Sequence, residues 1–73
     1  MPPFAVTTGT VIAFDDHAGL GRVRDEQGDE WPFHCTRIAD GSRTIAVGAL
    51  VTFTVLAGPT RAWEASDVRP ATP

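Results

Sequence analysis

Apolar and polar positions alternate over short stretches, and no window sustains the three-to-four-residue spacing of an amphipathic helix. Thr7 to Phe14 is rich in β-branched residues and predicts a first strand. Asp15-Asp16-His17-Ala18-Gly19 supplies turn chemistry, with carboxylates to cap the backbone and a glycine for positive φ. Leu20 to Asp25 predicts a second strand, Gln27-Gly28-Asp29 a turn, and Glu30 to Cys35 a third strand. Thr36-Arg37-Ile38-Ala39 has room for one helical turn at most, before a break at Asp40-Gly41-Ser42. Ala49 to Leu56 alternates best, with Leu50, Thr52, Thr54 and Leu56 on one side and Val51, Phe53 and Val55 on the other. Gly58-Pro59 ends it. Ala62 to Val68 predicts a last strand with Trp63, Ala65 and Asp67 on one face, and 70–73 forms a frayed tail.

Five short strands in one chain, residues 7–69 behind an N-terminal extension of 1–6, make an all-β domain. A flat sheet of that size would expose two edges, which closure into a barrel removes. OB-type and SH3-like barrels both fit this arithmetic. With 73 residues there is one domain, burying about 60% of its unfolded surface. Its 42% apolar and 21% charged residues belong to a folded globule. No apolar run approaches a membrane span, and the MPPFAV start lacks the pattern of a secretory signal, so the expected location is cytoplasmic.

Charge and chemistry narrow the function. All six basic residues are arginines against nine acids, a net charge of −3, which argues against a purely electrostatic grip on phosphates. Cys35 is the sole cysteine, so no internal disulfide forms. Asp15-Asp16-His17 diverge around a turn and suit capping better than acid–base work. His34 and Cys35, adjacent on a strand, would point to opposite faces and make a poor nucleophile–base pair. His17, His34 and Cys35 would have to converge from separate elements to bind a metal. Neither a cofactor nor an enzyme activity is expected, and no phosphate-loop motif is present.

Gly9-Thr10-Val11, Phe14, Gly19-x-Gly21 and Phe33-His34 stand in order before Ile38, Asp40-Gly41, Val47-Gly48, Val51-Thr52-Phe53-Thr54-Val55 and Ala65-x-Asp67-Val68. This ordered set, over residues 8–68, resembles a bacterial cold-shock domain. The resemblance implies a five-stranded antiparallel OB-fold β-barrel that binds single-stranded RNA or DNA. Such domains stack bases on aromatics from two motifs on neighbouring strands. The first usually reads Lys-Gly-Phe-Gly-Phe-Ile and is here Ala18-Gly19-Leu20-Gly21-Arg22-Val23, keeping the glycines but not the lysine or phenylalanines. The second usually reads Val-Phe-Val-His-Phe and is here Trp31-Pro32-Phe33-His34-Cys35, keeping only the histidine of its base-facing groups. The family's strand-one tryptophan is Ala13, and the preceding lysine is Ile12.

Stacking is worth about 1–3 kcal/mol per base. Losing roughly three contacts removes about 3–6 kcal/mol after allowing for non-additivity, or about a hundred- to ten-thousandfold in affinity. The resemblance leaves Phe14, Leu20, Arg22 and His34 as a reduced nucleic-acid platform, with Arg24 or Arg37 near the backbone path. Arg22 has a planar guanidinium that can stack on a base; its alternative is a solvated strand arginine. His34 stacks or donates to a base, or is a plain surface histidine. Phe14 fits a partly buried barrel position, and alternation points Trp31 at the core with Phe33. Trp63 either covers the barrel end or lies exposed. Binding would be weak, strongly salt-dependent and little selective for sequence. The rival reading is a protein-interaction barrel, its apolar surface at Ile12, Ala13, Leu20 and Pro32 meeting a protein partner or forming a homodimer. A basic rim would favour the first and a neutral apolar patch the second.

Overall fold

The computed structural model describes residues 6–57 and 63–71. The expected N-terminal extension up to residue 5, the Gly58-Pro59 strand stop and the last two tail residues lie outside the described residues. Five antiparallel strands form one sheet: β1 (Thr7–Asp15), β2 (Leu20–Asp25), β3 (Glu30–His34), β4 (Leu50–Ala57) and β5 (Trp63–Pro70), ordered β3-β2-β1-β4-β5. A single 3₁₀ turn, Cys35–Arg37, follows β3. No helix among the described residues is long and apolar enough to cross a membrane.

β2 and β3 pair because the connecting turn is chemically specified. Asp25 Oδ1 accepts from the backbone N–H groups of Gln27 and Asp29, both at 2.9 Å, and Gly28 takes a φ of 88°. These bonds close the loop and place Arg24 opposite Glu30 and Arg22 opposite Pro32. β3 is an edge strand, which accounts for Pro32. Cys35 N donates back to Gly19 O at 2.8 Å, so the odd residues of β3 face the ladder and the missing N–H of Pro32 points to the free edge.

Alternate residues from all five strands meet on the inner face. Val11, Val23, Phe33, Val51, Phe53, Ala65 and Val68 are buried, joined by Ile38 from beyond the 3₁₀ turn. Fully burying each Phe contributes about 1.5–3 kcal/mol. β3 and β5, at opposite ends of the order, lie near each other. A parallel bridge from Ile38 to Val68 and a bond from Ala39 N to Val68 O at 2.9 Å link β5 to the segment after β3. No ladder runs directly between β3 and β5 among the described residues, so the sheet stays open along that seam.

Two bulges break the expected alternation. In β1, Val11 pairs with Val23 but Ala13 pairs with Arg22, leaving Ile12 as the extra residue. In β5, Ser66 pairs with Thr54 and Arg69 with Thr52, so Asp67 and Val68 share the place opposite Phe53. Asp67 takes a φ of 53°, and it does not share the face of Ala65 as simple alternation expects. Boundaries also differ from expectation. β3 stops at His34 rather than Cys35 because the 3₁₀ turn starts there. β5 runs on to Pro70, with Ala71 N bonded to Leu50 O at 2.8 Å, so the chain is fixed through 71 rather than frayed from 70.

Candidate nucleic-acid interface

The register of β1, β2 and β3 builds two rows of side chains on the outer face. Ala13, Arg22 and Pro32 lie abreast in one, and Asp15, Leu20 and His34 in the next. The Ile12 bulge makes this possible: without the extra residue, Ala13 would share the inner face of Val11. The intervening row is Phe14, Gly21 and Phe33, whose rings lie on the core side. Phe14 and Phe33 pack with centroids 6.0 Å apart and planes 21° from parallel. A Cβ on Gly21 would come within 2.8 Å of both rings, so glycine is needed there for close approach. Gly19 is needed for its φ of 68° in the preceding turn.

Both rows line a groove of about 740 Å³ that also reaches Phe14, Phe33, Thr36, Arg37 and Glu64. The structure thus brings together all four sequence-derived site residues. Leu20, Arg22 and His34 are exposed on the face, with Leu20 at 54% exposure, whereas Phe14 is half-buried at the wall and stacked on Phe33. Ile12 does not line the groove, although Ala13, Leu20 and Pro32 do. Trp31 is half-buried against the core and donates its indole N–H to Asp25 Oδ2 at 3.0 Å. Trp63 lies exposed.

His34 is held by local backbone chemistry. It caps the 3₁₀ turn, and Thr36 N donates to its Nδ1 at 3.2 Å, with the Thr36 hydroxyl 3.0 Å from the same nitrogen. A nitrogen that accepts a backbone N–H carries no proton, which assigns the neutral imidazole proton to Nε2. Cys35 Sγ lies 3.8 Å from Nδ1, closer than strand alternation would place it, because the strand has already ended. Nδ1 is committed to Thr36, so it does not serve as a base for the thiol.

The arginines around the groove are matched by carboxylates. Glu30 Oε2 accepts from Arg24 Nη2 at 3.0 Å, and its Oε1 lies 4.0 Å from Arg22 Nε. Glu64 Oε1 lies 3.5 Å from Arg37 Nη2. With Asp15, which also lines the groove, three carboxylates stand against these three arginines, so the rim is charge-balanced rather than basic. No motif marks either glutamate. Glu30 had a readable signal: a hairpin turn centred on Gln27-Gly28 sets it opposite Arg24. Glu64 had none, since its approach to Arg37 is made across the seam. The chain matches no known family model and no curated protein sequence.

Proposed function

We propose that this protein is a cold-shock-like OB barrel that binds single-stranded nucleic acid, weakly and with little sequence selectivity. The observation that carries the reading is the convergence of Leu20, Arg22 and His34 from two adjacent strands on one exposed face, above a groove of about 740 Å³. The strand order supports the barrel part, since β3 and β5 approach each other at its two ends and the Ile38–Val68 bridge spans the gap. In this reading Arg22 stacks its guanidinium on a base, His34 offers a ring face and an Nε2–H donor, and Leu20 supplies apolar contact. Phe14 acts from beneath as the wall against which these groups are set. No cofactor is required.

Titrating a labelled pyrimidine-rich single-stranded oligonucleotide with the protein, followed by fluorescence anisotropy, tests this. Saturable micromolar binding that is lost in Arg22→Ala and in His34→Ala is expected. An absence of binding up to about 100 μM protein at low salt, equivalent to less than about 5.5 kcal/mol, sinks the proposal. A second reading, contact with a protein partner or a second copy, draws on the charge-balanced rim and on Ala13, Leu20 and Pro32 in the groove.

A further inference from the structure

Every arginine that borders the groove is engaged by a glutamate of the same chain. Glu30 bridges two arginines on one face of β2, one with each carboxylate oxygen, and Glu64 meets Arg37 at the other side. Glu30 is placed by the hairpin register and Glu64 by β5, so the two carboxylates come from both edges of the sheet. All five side chains retain solvent access, so each pair tunes the charge of the groove by the modest amount of an exposed ion pair.

From this we infer that Glu30 and Glu64 set the affinity and the mode of binding, by holding the groove's arginines away from phosphates so that the ligand is seated by its bases. The inference rests on the nucleic-acid reading above and specifies its ligand chemistry. The groove recognises the faces of unpaired bases, and the sugar–phosphate chain contributes little.

Charge balance sets how much each arginine can gain from a phosphate. An arginine that neutralises a phosphate releases a condensed counterion, which makes affinity fall with salt by about 0.7 in log–log slope per contact on single strands. An arginine already neutralised by a carboxylate gains little from a phosphate, and the carboxylate repels that phosphate. Stacking by Arg22 tolerates the pairing, because Glu30 Oε1 stands 4.0 Å from Nε, beyond hydrogen-bond reach, and does not clamp the guanidinium.

The test compares the unmodified protein with Glu30→Gln, Glu64→Gln and the double variant, by anisotropy against the same oligonucleotide over a range of salt concentrations. The unmodified protein is expected to show a shallow salt slope, below that of one phosphate contact, in place of the strong salt dependence expected from the sequence, because its arginines are paired. Each substitution is expected to tighten low-salt binding about two- to fivefold, and the double variant to steepen the slope by one contact or more. Circular dichroism melts establish that the variants are folded. A steep slope in the unmodified protein, or variants that bind no tighter and with unchanged slope, overturns the inference while leaving nucleic-acid binding intact. No binding by any of the four proteins overturns both.

Discussion

Asp25 shows how one side chain can build a turn and tie it to the core. Its Oδ1 accepts two backbone N–H groups of the β2–β3 connection, and its Oδ2 accepts the Trp31 indole N–H at 3.0 Å. The Trp31 bond, with the N–H groups of Asp29 and Gln27 behind it, holds the carboxyl below its ordinary value of 3.8. A depressed carboxyl pKa stabilises the fold fully above the unfolded value, and that contribution is lost as the pH falls through the folded value. Asp25→Asn should therefore cost about 1 kcal/mol at pH 7 and soften the loss of stability below about pH 4. Trp31→Phe should raise the Asp25 pKa, because it removes the leading cause while keeping an aromatic body. Urea unfolding at neutral and acidic pH, with an NMR titration of Asp25, reads both effects. Identical acid limbs for Asp25→Asn and the unmodified protein would show that the bonds do not persist in solution. Trp31 is also where alternation read the chain correctly, since it shares the inner side with Phe33.

At the scale of elements, all five strands were legible because turn residues punctuate the chain between them and β1, β3 and β4 are rich in β-branched or aromatic residues. What alternation cannot read is a slip of phase. Val11 and Val23 obey it, but the extra residue at Ile12 turns Ala13 outward, and nothing in the residue types marks that slip. Asp67 makes the second slip, with φ at 53°, a region that non-glycine residues enter at a cost. Its carboxylate meets Arg69, with Arg69 Nη2 3.0 Å from Oδ1. Replacement by Ala or by Gly removes that contact equally, so the two variants differ chiefly in tolerance of the left-handed backbone. Asp67→Gly is expected to be more stable than Asp67→Ala by about 1 kcal/mol, read from urea midpoints. Equal midpoints would mean that the bulge relaxes out of this conformation. The bulge lets Val68 turn inward to meet Ile38, so the link between β5 and the segment after β3 depends on it.

Of the candidate groove, only the residues at the motif positions were legible in the sequence. Leu20, Arg22 and His34 come to one face, as the motif positions imply, yet the glutamates that balance the arginines depend on cross-strand register and on the approach of β5 to the 3₁₀ turn. Such pairings are properties of the folded molecule, not of any local stretch. The same holds for the core, which takes buried residues from every strand, so that no pair of strands owns a core of its own. For 73 residues the expected total stability is about 4–11 kcal/mol. Phe53, on β4, is 1% exposed and packs at the β5 bulge, with no contribution to the groove on β1–β3. Phe53→Ala should cost about 3–5 kcal/mol, a large share of that total. Since an isolated hairpin is marginal in water, β2 and β3 should not survive this loss. Tryptophan fluorescence, which includes Trp31 in β3, and far-UV circular dichroism should then report one coincident unfolding transition, shifted to lower urea in Phe53→Ala. Two separated transitions would instead mean that β1–β3, and the groove with it, forms a folding unit apart from β4–β5. In that case Phe53→Ala would leave the Trp31 transition in place.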